Sequence, residues 1–201
     1  SLVMHGTDIN AKGRGGLTAL HYSIIEDTPL APFIIENGAE INQKTDFGQT
    51  ALHFAAWKNN KEVLLLLIRN GADVNAEDDI GLTPLHYQFD FPEILETLLE
   101  NGADPNKKCD MTKYWISFKG ESGTLEMNIL GLSEAKTQDR KGWTALHYCC
   151  AKGNRKCAEI LLKHGAIPDI KDDAGRTPRD IAVIEDKKYM LDLFNEVARR
   201  D

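Results

Sequence analysis

The chain has 201 residues, 42% hydrophobic and 27% charged, which is enough for a buried core in one large or two small domains. Its formal net charge of −7 excludes a general nucleic-acid binder, because neutralising phosphates takes a basic surface, and leaves protein partners of either sign. The longest apolar run, Val63–Ile68, is far below the roughly 18 residues of a membrane span, so no membrane insertion is expected.

In chain order, the opening SLVMHGTDIN lacks the charged start and long apolar stretch of a signal peptide. It matches the end of a helix plus a connecting finger (compare LLIRNGADVN at 66–75), so the chain is expected to begin inside a repeating unit, as a fragment with a helix pair missing upstream. The motif G-x-T-[AP]-L-H then recurs at Gly16–His21, Gly48–His53, Gly81–His86 and Gly142–His147, with a degenerate copy at Gly175–Asp180. The steps between the glycines are 32, 33, 61 and 33 residues. A second landmark trails each copy: NGAEIN at Asn37, NGADVN at Asn70, NGADPN at Asn101 and HGAIPD at His164. The threonine suits a helix N-cap, proline at the next position (Pro84, Pro178) suits the first helical residue, and the later glycine suits a left-handed C-terminal cap. Apolar residues at helical spacing fill the intervals, so each unit reads as helix, turn, helix and finger.

These segments resemble the ankyrin repeat family over about 170 residues, in five copies that keep register. The resemblance implies an all-α solenoid of stacked helix-turn-helix units with β-turn fingers, and a concave face of fingers and first helices that binds proteins. The expected organisation is a single ankyrin repeat domain over 1–201. Its parts are a truncated tail at 1–15, units at 16–47, 48–80 and 81–106, an insertion at 107–141, a unit at 142–174 and a capping unit at 175–201. The stripe Met190, Leu191, Phe194 and Val197 amid polar neighbours reads as the cap. The third unit is short in its turn, where Asp90 can cap the second helix and Pro92 can stand in its first turn. It also sets Gln88 and Phe89 where the second unit has Ala55 and Ala56, so local distortion is expected there.

The insertion predicts a β-hairpin. Tyr114, Ile116 and Phe118 share one face of a first strand, Leu125, Met127 and Ile129 one face of a second, and Gly120–Gly123 has the length and glycine content of the link. An isolated hairpin is marginal in water, so its apolar face is expected either to fold against the stack or to offer Tyr114, Trp115 and Phe118 to a partner.

No catalytic constellation is legible, so the chain is not expected to be an enzyme or to carry a metal or cofactor. In the resembled family the histidines His21, His53, His86 and His147 tie neighbouring turns together. Cys149, Cys150 and Cys157 stand at small apolar positions, and Cys109 has no second cysteine nearby for zinc. Four cysteines without a disulfide framework fit an intracellular compartment, cytoplasmic or nuclear. Repeat alignment places Phe47, Trp57, Ile80 and Trp143 as an apolar stripe across a polar groove, a surface for a protein partner, with the chain itself expected to be monomeric. The alternative is a targeting or regulatory arm of a larger enzyme or effector. Asn42, Asn75 and Asn106 match the finger asparagine that is sometimes hydroxylated in the resembled family.

Overall fold

The computed structural model describes residues 8–88, 90–110 and 140–197. Helices pair and stack in chain order: α1 (Ala19–Ile25) with α2 (Ala31–Glu36), then α3 (Ala51–Trp57) with α4 (Lys61–Arg69). In the third unit a four-residue 3-10 turn, Pro84–Tyr87, takes the place of the first helix and packs on α3 and α5 (Pro92–Glu100). A short antiparallel pair follows, β1 (Cys109–Asp110) with β2 (Lys141–Trp143), in which Cys109 faces Trp143 and Asp110 faces Lys141. Beyond it lie α6 (Ala145–Lys152), α7 (Arg155–Lys163), α8 (Pro178–Ile184) and α9 (Met190–Val197). The helical stack is the solenoid the repeats foretold. The hairpin at 113–130 lies outside the described residues.

Local chemistry sets the helix ends. Asn60 and Asn154 precede α4 and α7, and their side-chain oxygens accept from Val63 N and Cys157 N at 3.0 and 3.1 Å. Each second helix of the first four units closes on a left-handed glycine. After α4, for example, Gly71 N donates to Ile68 O and Ala72 N to Leu67 O, both at 3.0 Å, so two orphan carbonyls are satisfied at once. Helix α5 departs from expectation, because the residue before it is Phe91 rather than Asp90. Pro92 removes one N–H from the first turn and holds Phe91 extended, so the need for a polar cap falls.

One continuous core runs through the stack, built from residues such as Leu20, Leu52, Leu67, Leu95, Leu146, Leu161 and Phe194. The expected distortion of the third unit is present. Gln88 is fully buried, and its amide donates to Ala56 O while its own side-chain oxygen finds no partner among the described residues. The small side chains Ala55 and Ala56 of the unit before it are fully buried.

Two layers of contacts join successive units. In the first, each motif histidine accepts the threonine backbone N–H through Nδ1, as in Thr50 N to His53 Nδ1 at 3.1 Å. That bond places the ring proton on Nε2, which donates to the next unit at His53 (Leu82 O, 3.0 Å) and His147 (Arg176 O, 3.2 Å), and at His86 to Lys107 O, where the insertion begins, at 3.2 Å. In the second, finger asparagines bridge neighbours with both ends of the amide. Asn75 donates to Gly102 O at 2.9 Å and accepts from Asp104 N at 2.8 Å. Asn42 does the same with Gly71 and Asp73, and Asn106 with Gly165 and Ile167. Asn10, the counterpart of Asn75 at the start of the chain, bridges Gly38 and Glu40. The fingers also bond through the backbone, Asp46 N to Gly15 O, Asp79 N to Phe47 O and Asp173 N to Lys141 O, at 3.0 to 3.1 Å. Glycine at position 48 is required for this approach: φ is +75°, and an added Cβ would lie 2.5 Å from Asp79 Oδ1.

Candidate interaction face

The residue after each motif histidine is aromatic, Tyr22, Phe54, Tyr87 and Tyr148, and the stack threads these rings into a column. Each later ring meets the histidine of the unit before it edge-on: His21 with Phe54 at 5.6 Å between centroids, His53 with Tyr87 at 6.0 Å, His86 with Tyr148 at 6.3 Å. Sequence reading missed this column, although the signal was an aromatic at a fixed offset in every intact motif. Exposure falls along it, from 41% at Tyr22, through half-buried Phe54 and Tyr87, to 1% at Tyr148.

The expected stripe of Phe47, Trp57, Ile80 and Trp143 is therefore corrected. Phe47 is 39% exposed and Trp57 half-buried, with Lys58 Nζ 5.0 Å from the Trp57 ring centre. Ile80 is buried, because the finger that carries it folds its side chain into the core cluster. Trp143 is buried too. Its indole N–H donates to Asp172 Oδ2 at 3.1 Å, its ring stacks on His147 and meets Tyr148, and the Arg140 guanidinium sits 4.7 Å from its centre. Trp143 belongs to the frame, not to an open groove. Tyr114, Trp115 and Phe118 lie outside the described residues. Among the described aromatics of the fingers and first helices, Tyr22 and Phe47 are exposed and Phe54, Trp57 and Tyr87 half-buried. The Tyr22 ring reaches the finger at Gly13, where an added Cβ would come within 3.6 Å of it.

Two carboxylates at equivalent finger positions have opposite environments. Asp172 accepts from Ala174 N and Arg176 N through Oδ1 and from the Arg176 guanidinium through Oδ2. Burial pushes its carboxyl up, but the Arg176 bonds and charge and the Trp143 N–H outweigh that and hold it below the usual range. At Asp78 the residue four later is Leu82. The carboxylate accepts from Ile80 N at 3.1 Å, Leu82 N at 2.8 Å and the Tyr87 hydroxyl at 3.3 Å, with no arginine at that position. Burial pushes this carboxyl up to about 7 against those bonds. Because the folded value stands above the ordinary 3.8, the group stabilises the fold most at low pH and loses that contribution as pH rises to about 7. Asp78→Asn keeps an acceptor for both N–H groups and cannot ionise. It is expected to be more stable than the parent at pH 8 by about 1–4 kcal/mol, with the gap narrower at pH 5 and closing only near 3.8, in urea titrations at pH 8 and pH 5. An equal gap at both would show that Asp78 does not titrate in this range.

The cysteines carry no accessible nucleophile. All four are buried with free thiols. Burial raises the thiol of Cys149 well above its ordinary value, reinforced by Cys157, and pushes that of Cys150 up to about 12, so neither ionises at neutral pH. Cys109 Sγ rests 3.2 Å from the Tyr148 hydroxyl.

A family model described as ankyrin repeats (3 copies) matches residues 1–78, 26–109 and 114–198. This chain belongs to the ankyrin-repeat family. Among curated proteins, this ankyrin-repeat chain is similar to cortactin-binding protein 2 of Equus caballus, 43% identical over 58 residues, which cover 28% of the chain and 3% of the relative. It is also similar to the E3 ubiquitin-protein ligase Ufd4 of Drosophila melanogaster, 34% identical over 111 residues, which cover 54% of the chain and 4% of the relative. The chain thus spans only 3 to 4% of the length of these relatives. Ankyrin repeats are protein-interaction modules and generally not catalytic. No helix among the described residues is long and apolar enough to cross a membrane.

Proposed function

We propose that the chain is a non-catalytic recognition module that binds a partner protein through its concave finger and first-helix face, with the inserted hairpin as an additional contact. The observation that carries this reading is the division of the aromatics. Trp143 and Tyr148, on the finger and first helix of the fourth unit, are buried in the frame, whereas Tyr22, Phe47 and Trp57 keep surface in the first two units. The additional contact is assigned to Tyr114, Trp115 and Phe118, which lie outside the described residues. The module acts as a monomer inside the cell, where its free thiols stay reduced.

Triple replacement of Tyr22, Phe47 and Trp57 by alanine is expected to weaken binding of the partner at least tenfold. Circular dichroism should stay unchanged. Unchanged affinity would overturn the assignment of this face. Deleting 111–139 in parallel separates the two surfaces, because loss of binding there with a folded stack assigns the working contact to the insertion. Cortactin is a direct probe, since one relative is named for binding it.

A second reading is favoured by the small share of the relatives that the chain covers. In it the repeats are the targeting or regulatory arm of a larger enzyme or effector, as the likeness to a ubiquitin ligase suggests. Modification of the fingers by hydroxylation at Asn42, Asn75 and Asn106 is part of the proposal, and leaves both amide bridges free to form, because neither amide atom is consumed. Host-expressed protein without increments of about 16 Da would remove it.

A further inference from the structure

Three units end their second helix on the dipeptide Asn-Gly: Asn37-Gly38, Asn70-Gly71 and Asn101-Gly102. The pair has a chemistry of its own. The glycine backbone nitrogen, unhindered by a side chain, can attack the asparagine Cγ, expel ammonia and close a five-membered succinimide. Water then opens the ring to aspartate or to isoaspartate, in which the main chain runs through Cβ. No oxidant, cofactor or enzyme is needed.

The fold sets every participant against this reaction. The asparagine ψ angles are 17, 19 and 17°, which turn the glycine nitrogen away from the side chain that it must reach. Each glycine N–H is engaged, to Ile35 O, Ile68 O and Leu99 O at 3.0 to 3.1 Å. Each carboxamide is anchored back along the helix, donating to Phe33 O, Leu66 O and Thr97 O at 2.8 Å. Burial plays no part, because all three asparagines are exposed and water reaches them. Only the helix cap holds the reacting atoms apart.

We propose that Asn37, Asn70 and Asn101 are sites of spontaneous deamidation, silenced by the helix cap and released when the cap opens. The product does not return to the starting state. A carboxylate at the helix C-terminus loses the donor to the carbonyl four residues back and meets the negative end of the helix dipole. Isoaspartate also lengthens the main chain at the cap. A lapse of folding in any of these units is therefore written into the covalent structure. The fourth unit supplies an internal control, since His164-Gly165 has the same capped geometry, with Gly165 N on Leu162 O at 3.1 Å, and no carboxamide.

The test is peptide mass mapping of the intact chain after incubation at pH 8 and 37 °C, with and without urea. In urea, the three Asn-Gly peptides are each expected to gain about 1 Da, and the His164-Gly165 peptide to stay unchanged. In native buffer the same conversions should be at least roughly tenfold slower, because they wait on local opening. Equal rates in the two conditions would overturn the protective role of the cap. Asn70→Asp, which mimics one product, is expected to lower the melting temperature by about 2–4 °C. A parental melting temperature would overturn the claim that conversion opposes refolding.

Discussion

Lowering the pH from 6.5 toward 4 is expected to unfold the repeat stack. The motif histidines His21, His53, His86 and His147 each have a ring basicity lowered from 6.5 to about 4, first of all by burial. Bonds from the rings to backbone carbonyls further along the chain oppose that loss only in part. The unfolded chain binds these protons at ordinary values and the folded chain does not. Stability contributed by the neutral rings is thus whole above pH 6.5 and lost as pH falls through about 4. Each ring is worth up to about 3 kcal/mol on this count, and the sum is comparable with the 5–15 kcal/mol by which a domain is stable. The opposite sign at Asp78 offsets only one of them.

Circular dichroism against pH should show loss of helix inside this window, and urea titrations should show stability rising with pH across it. Replacing one ring, as in His147→Gln, is expected to reduce that slope by up to about 1.4 kcal/mol per pH unit, one proton's worth. A stack that keeps its helix below pH 3 would refute the account. An unchanged slope in the variant would refute it for that ring.

Trp143→Ala should cost about 3–5 kcal/mol of stability, the ordinary range for emptying a large buried ring site. The indole lies against His147, Tyr148 and Arg140 and donates to Asp172, so the change removes packing from the base of β2 and a donor from a carboxylate that retains Arg176. Trp143→Phe keeps most of the ring volume and loses the N–H, and is expected to cost about 1 kcal/mol. Thermal or urea unfolding of the pair tests this directly. If Trp143→Ala melts with the parent but loses a binding partner, the ring belongs to a binding groove after all.

Trp57 and Trp143 show how far the sequence could be read. The repeat register placed residue 143 on a finger beside a motif glycine, which was right, and from that the side chain was expected to face the groove. Its direction is decided by Asp172 in the following finger, 29 residues away, and by the width of Tyr148, neither of which the register contains. Trp57, inside a regular helix, is half-buried, with Lys58 Nζ near its ring. The helix ends were legible because each depends on one or two neighbouring residues. The third unit was legible only as a disturbance, since Gln88 announces a polar group in the core without saying which carbonyl it will find. The aromatic column is legible in principle at the residue after each motif histidine, but that position varies between tyrosine and phenylalanine and lies outside the motif's invariant letters.

The asparagine bridges are uniform in space and uneven along the chain. Those from Asn10, Asn42 and Asn75 join residues 27 to 31 positions apart, whereas Asn106 reaches Gly165 and Ile167 across 59 and 61. Doubling the loop adds only about 0.6 kcal/mol of closure entropy, so the junction is affordable at equilibrium. In time it is different, because long-range contacts form late. The same junction joins the unit with the shortest first helix and the unsatisfied Gln88 oxygen. The order of assembly follows: each flank condenses on its own local pairs, and the stack becomes one body only when the seam between α5 and α7 closes.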